Sequence, residues 1–215
     1  MILNSELARR FAGSLLQINA IQLQPKHPFT WASGWKSPIY CDNRLSLSYP
    51  KLRKEIAAGF KQMAEKLELE PAAIAGVATG GIAHGLLLAE ALELPFLYVR
   101  SQAKAHGKGK RIEGLLPDTG EVLVVEDLIS TGGSSLDAIQ ALREAGAQVK
   151  HLFALFDYGF EIAKERCEKE GISTYSISDY AHLLEASLAE NRISLEDLHV
   201  LNAWSLAPEQ WNPTA

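Results

Sequence analysis

Apolar residues recur at helical spacing early in the chain. Leu7, Phe11, Leu15 and Ile18 form one stripe through Ser5 to Ile21, with Asn4 or Ser5 placed to cap it. Leu52, Ile56, Phe60, Met63 and Leu67 form a second through Pro50 to Leu69. Between them, His27 to Asn43 mixes Pro, Gly, Trp and alternating apolar positions. That pattern predicts two short strands, FTW and PIYCD, around a turn at Ser33-Gly34. Beyond residue 70 the pattern changes. Ile74 to Ala78, Pro95 to Val99, residues 122 to 126, His151 to Phe156 and Thr174 to Ile177 are short apolar runs that predict buried strands. Helical segments at 82–92, 132–145 and 161–170 alternate with them, and two more helices, 179–190 and 194–203, end the chain. Strand–helix alternation predicts an α/β fold, a central and mostly parallel sheet flanked by helices. Arg100 to Gly120 has no periodicity and reads as a long loop with room for short strands.

Chemistry concentrates where the strand at 122 ends. In VLVVEDLISTGGSS an apolar run leads into Glu126 and Asp127, then Leu128 and Ile129, then the turn Ser130-Thr131-Gly132-Gly133-Ser134 and a helix. A helix start after such a turn offers unpaired N–H groups and a positive dipole end, which suits a phosphate. The same residues are also ordinary capping chemistry, and a lone glycine-rich turn means little. Two acids at the carboxyl end of a buried strand shift the balance, because ligands of open α/β sheets bind there. Acids beside a phosphate cradle suit a ligand with hydroxyls and a phosphate, such as a ribose 5-phosphate. Gly76-Val77-Ala78-Thr79-Gly80-Gly81 is a second such turn, weak alone and more informative as one of two at the same sheet edge.

The segment from Arg100 to Arg111 gathers Lys104, His106, Lys108 and Lys110 among glycines. Most charge runs are solvated surface. This one follows directly from a strand next to the phosphate motif, in a chain whose net charge is −5. A movable cationic lid can exclude water and neutralise a leaving group. The hairpin from Phe29 to Arg44 carries aromatics and the cations Lys36 and Arg44. It suits a cap over a flat anionic heterocycle about as well as an edge hairpin packed on the core.

The acidic balance argues against a general nucleic-acid surface. An apolar share of 47% is ample for a core over 215 residues, and a single domain, 1–215, is expected. A small hood subdomain should come mainly from about residues 1–45, with the C-terminal helices as candidates to join it. Cys41 and Cys167 make neither a metal spacing nor a disulfide framework, so a reducing compartment is expected. The N-terminus lacks the apolar core of a signal peptide. Pro71 to Ala89 carries no Asp, Glu, Lys or Arg, but its glycines and His84 break it into strand, turn and helix rather than a membrane span. The expectation is a cytoplasmic protein with no membrane partner. The histidines share no ligand spacing, and no metal site built from side chains is expected.

These segments together resemble a known family. VLVVEDLISTGGSS resembles the phosphoribosyl-diphosphate motif of type I phosphoribosyltransferases. FTWASGWKSPIYCDNR and YVRSQAKAHGKGKRIEG are similar to the hood hairpin and the Lys-x-His-Gly loop of orotate phosphoribosyltransferases. The resemblance runs from Phe29 to Phe156 and more loosely to both ends. It implies Mg²⁺-dependent transfer of a 5-phosphoribosyl group from its 1-diphosphate to orotate, giving orotidine 5′-phosphate in pyrimidine biosynthesis.

Carried over by position, the resemblance implies that Glu126 and Asp127 hold the ribose hydroxyls and that Leu128 to Ser134 line the 5-phosphate site. Ser130 would also reach orotate. Arg100, Lys104 and His106 would meet the diphosphate, with Lys104 and His106 the catalytic pair. In this family that loop serves the neighbouring subunit of a homodimer. Thr79 and Gly80 would form the diphosphate turn, and the Mg²⁺ would be held through substrate oxygens. Some family members carry cations where this chain has Ala32, Gly80, Ser101 and Tyr158. Lys36 and Arg44 are the candidates to compensate toward orotate. A purine-type phosphoribosyltransferase is the alternative enzyme, which the hairpin disfavours. A nucleic-acid-binding sensor of phosphoribosyl diphosphate is a second alternative, which the acidic balance and the absence of an added domain disfavour.

Overall fold

In the computed structural model, residues 1–31, 34–102 and 111–212 are described. Six strands form the central sheet: β5 (Ala73–Val77), β6 (Phe96–Val99), β7 (Ile112–Glu113), β8 (Val122–Ile129), β9 (His151–Asp157) and β10 (Ser173–Asp179). Their order is β10-β9-β8-β5-β6-β7, parallel throughout except for the short β7, which runs antiparallel to β6. Thus the expected mostly parallel sheet is present, and β7 is the short strand within the irregular segment after Arg100.

Helices cover both faces because the strands are apolar on both. On one side lie α1 (Ser5–Gln17), α2 (Pro50–Lys66), α3 (Gly80–Leu92), α6 (Tyr180–Ala189) and α7 (Leu195–Leu206). Their buried residues, Phe11, Phe60, Leu88, Leu183 and Trp204 among them, share one core with Leu123, Val125 and Phe153 of the sheet. On the other side, α4 (Gly133–Glu144) and α5 (Glu161–Lys169) bury Ile139, Leu142 and Cys167 against Val122, Val124 and Leu152. Alternate residues of β8 therefore serve opposite layers. Burying a side chain of Phe60's size contributes roughly 1.5–3 kcal/mol.

The N-terminal region departs from the expected hairpin. FTW and PIYCD do not pair as two strands. Lys36–Ser37 (β3) pairs with Phe29–Thr30 (β2), whereas Ile39–Cys41 (β4) pairs with Ile21–Leu23 (β1). Pro38 separates the two partners, and its carbonyl accepts from Gln24 N. The first helix stops at Gln17, and Asn19 adopts a left-handed conformation (φ 55°) that frees the following residues for β1. That helix packs against β10 and α6, so the first twenty residues belong to the main core, and the small lobe is β1 to β4.

Candidate active site

The strand order reverses at β5. The chain steps from β5 outward to β6 and later returns to β8 on β5's other side. A crevice opens at such a switch point, at the carboxyl ends of the strands. Both glycine-rich turns end there, one after β5 and one after β8.

The acid pair lies within β8, not beyond it. The ladder to β5 ends at Gly76 opposite Val125, while the ladder to β9 continues to Ile129 opposite Asp157. The expected strand end at residue 126 is correct for one neighbour only. Past Val125 the β5 side of β8 is open, and the turn after β5 fills the space. Ala78–Thr79 is a cis peptide, and α3 begins at Gly80. A Cβ on Gly80 would stand 2.2 Å from Asp127 Cγ, and one on Gly81 would stand 2.4 Å from Val125 O. At Gly81 the obstacle is the backbone of β8, so glycine is required there, whereas at Gly80 it is the Asp127 carboxylate, which a larger residue would displace.

The two acids are adjacent on the strand, and their carboxyls stay close enough to interact. Glu126 points toward α4 and is 4% exposed. Its Oε1 accepts from Asp127 N (3.0 Å), and its Oε2 accepts from Ser135 Oγ (3.3 Å) and Ser134 Oγ (3.4 Å). Burial, then the neighbouring Asp127 carboxyl, pushes its pKa well above the usual carboxylate range. Asp127 points toward the α3 turn and is half-buried at the mouth. Glu126 is thus anchored to the start of α4, and Asp127 abuts the turn before α3 at Gly80.

Ser130 to Ser134 form the bend between β8 and α4. Gly132 takes a positive φ of 76° as the cap residue. The first α4 amide with a main-chain acceptor is Leu136, which donates to Gly132 O (3.0 Å). Arg166 of α5 braces the bend by donating to Thr131 O (3.2 Å). Leu128 and Ile129 continue the ladder to β9, opposite Phe156 and Asp157.

Arg100 sits where the chain leaves β6. Its guanidinium meets Glu113 at 3.6 Å, and its main chain pairs with Arg111 in both directions (2.9 Å each). Lys104 and His106 lie outside the described residues, as does Ala32. Lys36 is exposed and donates to Thr30 Oγ1 (2.8 Å). Arg44 pairs with Asp42 (2.7 Å), and its charge is also stabilised by Asp127. Of the two cations, Arg44 is therefore the one tied electrostatically to the acid pair. Tyr158 is buried among aromatic rings, stacked on Phe160 with centroids 5.3 Å apart.

Several site residues left no signal in the sequence. Ser135 holds Glu126, yet nothing in the serine-rich turn distinguishes it from Ser134. His84 is fully buried on the α3 face one turn below Gly80. Neither ring nitrogen has a hydrogen-bond partner among the described residues, and burial lowers its pKa while Asp127 opposes the shift. Arg111 forms a bidentate pair with Asp137 of α4 (Nη1 to Oδ1, 3.1 Å). That pair fastens the base of the cationic segment to the phosphate-turn helix.

A phosphoribosyl transferase domain model matches residues 47–180. The orotate phosphoribosyltransferase of Listeria monocytogenes is 48% identical over 208 residues, covering 95% of this chain and 98% of the relative. That of Bacillus cereus is 46% identical over 207 residues, covering 95% and 99%. Among solved structures, orotate phosphoribosyltransferase from Aeropyrum pernix superposes with a TM-score of 0.74 at 30% identity, covering 84% of this chain and 98% of its own. Leishmania donovani UMP synthase shares the fold with a TM-score of 0.78 at 24% identity, over 95% of this chain and 42% of that one. With identities of 46–48% over 95% of its length and the domain match, the chain belongs to the orotate phosphoribosyltransferase family.

Proposed function

We propose that the protein transfers a 5-phosphoribosyl group from 5-phospho-α-D-ribose 1-diphosphate to N1 of orotate, releasing diphosphate and supplying orotidine 5′-phosphate for pyrimidine synthesis. The observation that carries this reading is identity of 46–48% over 95% of the chain to relatives named for that activity. The geometry supports it. The bend Ser130 to Ser134 and the start of α4 suit the 5-phosphate, and Asp127 at the crevice mouth suits the ribose hydroxyls. The turn at Thr79-Gly80 suits the diphosphate.

Breaking the C1–O bond builds positive charge on the ribose and negative charge on the diphosphate. Asp127 faces the first of these. Arg100, with Lys104 and His106 by family resemblance, answers the second. No covalent nucleophile is needed when positioning and charge stabilisation are supplied. Ser130 and the hood cations Arg44 and Lys36 are the candidates to meet orotate.

Mg²⁺ fits this site through the substrate. Among the described residues there is no group of three or more His, Cys, Asp or Glu able to hold a metal ion. One or two carboxylates with substrate oxygens are the usual magnesium environment, and Asp127 offers one of them. Bound there, the ion would neutralise diphosphate charge.

A homodimer whose Lys104–His106 loop serves the partner's site is part of the proposal. Mixing a loop variant with an acid-pair variant should restore partial activity if the loop acts across the interface. No recovery despite subunit exchange would show action within one subunit. No helix among the described residues is long and apolar enough to cross a membrane. Free Cys41 and Cys167 fit a reducing cytoplasm. With Mg²⁺ and phosphoribosyl diphosphate, purified protein should consume orotate but not hypoxanthine, adenine or uracil. Use of a purine instead overturns the acceptor.

A further inference from the structure

A polar chain joins the hood lobe to the acid strand. Asn43 opens the 3₁₀ helix that follows β4 and is 1% exposed. Its Nδ2 donates to the main-chain carbonyl of Asp127 (2.7 Å). Its Oδ1 accepts from the Cys41 thiol (3.2 Å), and its own carbonyl accepts from Ser46 Oγ (2.6 Å). Burial, reinforced by the Asp127 and Asp42 carboxylates, pushes the Cys41 thiol pKa well up, so the group stays S–H and can donate. A thiol donor on one side and a carbonyl acceptor on the other admit one orientation of the amide. Reversed, the amide would set NH₂ against S–H and oxygen against oxygen.

This is an unusual place for a buried side-chain amide. Asp127 lies where β8 has lost its β5 neighbour, so its carbonyl faces the open side of the strand. A buried carbonyl left without a donor is costly. Asn43 supplies that donor from a different lobe, 84 residues away in sequence. We propose that Asn43 is a positioning residue. It fixes the main chain of Asp127, and hence the direction of its carboxylate toward the ribose, and Cys41 fixes Asn43.

The inference rests on the reading of Asp127 as a ribose holder. It also ties the acceptor lobe to the ribose site, because Cys41 ends the strand β4 of the hood and Asp127 belongs to the sheet. Displacement of the hood is thereby transmitted to the carboxylate through one hydrogen bond.

The test compares ribose 5-phosphate with inorganic phosphate as ligands, by calorimetry. Phosphate samples only the α4 bend, while the ribose adds hydroxyls for Asp127. In the wild type, ribose 5-phosphate should bind more tightly than phosphate. Asn43→Leu, close in size and without polar atoms, should shrink that advantage by about three- to tenfold with phosphate affinity unchanged. Cys41→Ala should shrink it by less, and Cys41→Ser, which keeps a donor, should leave it intact. The single-turnover rate should fall in the same order, with the KM for orotate little changed. A purely structural role would instead lower both ligand affinities or the fraction of active sites together. An unchanged advantage in folded Asn43→Leu and in Cys41→Ala overturns the proposal. Should Asn43→Leu fail to fold, Cys41→Ala against Cys41→Ser decides alone. Equal binding of the two ligands by the wild type overturns the ribose reading itself, and the role of Asn43 with it.

Discussion

Gly80 lies flat against the carboxylate of Asp127, with no room for a methyl group between them: a Cβ there would come within 2.2–2.3 Å of all three carboxylate atoms. The start of α3 and the end of β8 are therefore one unit. Whatever orients Asp127 also sets the turn at Thr79-Gly80.

Gly80→Ala should accordingly act on catalysis before stability. The backbone of Gly80 is ordinary helix, so alanine costs nothing in φ and the damage is steric. The carboxylate must swing away, and misplacement on the ångström scale costs about a hundredfold in rate. Steady-state kinetics beside a thermal melt test this. A folded Gly80→Ala enzyme with wild-type kcat/KM would show that Asp127 has another place to go.

Glu126 predicts a stability that falls as pH rises. Its raised pKa means that the folded protein keeps a proton the unfolded chain releases, starting near the ordinary value of 4.5. Stability falls with pH where the folded state binds more protons. Glu126 thus contributes a loss that grows as pH climbs from that value through the raised one. Glu126→Gln mimics the protonated form. It should match the wild type at low pH and exceed it near neutrality, by about 2–4 °C in Tm per kcal/mol recovered. Melts of both proteins between about pH 4 and pH 8 measure it. A constant offset across the range would mean that Glu126 is charged when folded.

Much of this arrangement was legible in the chain, and what was hidden has definite causes. The apolar runs at 74, 95, 122 and 151 announced the parallel strands because both faces of that sheet are covered. The continuation of β8 beyond residue 126, through Asp127 to Ile129, is hidden, because strand pairing to β9 extends it into a place that the acid pair marks as a strand end. β1 was absorbed into the first helix, since Ile21 falls on the helical stripe and only the left-handed turn at Asn19 interrupts it. The hood hairpin was read with the wrong partners because β4 pairs with a strand that had not been seen. Asn43 acts through a contact 84 residues away in sequence, and such contacts leave no local pattern. Asn4, by contrast, is legible as a helix cap, and its Oδ1 accepts from Leu7 N (3.1 Å).

Tyr158 stands where the family resemblance leads to the expectation of a missing cation. Here it closes an aromatic cluster, with ring centroids 5.3 Å from Phe160, 5.3 Å from Trp31 and 5.8 Å from Trp204. Tyr158→Arg should not gain an orotate contact. It should lose ring packing and bury a charge with no partner, costing about 3–5 kcal/mol. Tyr158→Phe, which keeps the ring, should cost under about 1.5 kcal/mol. Urea unfolding of the two variants, with the KM for orotate, gives the answer. A stable Tyr158→Arg enzyme with a lowered KM would show that the cluster opens readily to the acceptor.

The pair Arg111–Asp137 predicts a catalytic effect larger than its effect on stability. Arg111 donates to Arg100 O (2.9 Å) and grips Asp137 through both guanidinium nitrogens, so it joins both ends of the cationic segment to α4. Asp137 is 58% exposed, and an ion pair so open to water contributes only about 0–1 kcal/mol to folding. The proposed diphosphate contacts Lys104 and His106 lie in sequence between Arg100 and Arg111. Asp137→Asn keeps the size and removes the charge. It should leave Tm within a few degrees, raise the KM for phosphoribosyl diphosphate severalfold and leave the KM for orotate unchanged. Arg111→Ala should go further, because it also loses the bond to Arg100 O. In the double variant, Asp137→Asn should add little to Arg111→Ala, since residues that act through one contact are not additive. Fully additive losses would mean that the two side chains act on the substrate separately, and that α4 does not hold the segment at all.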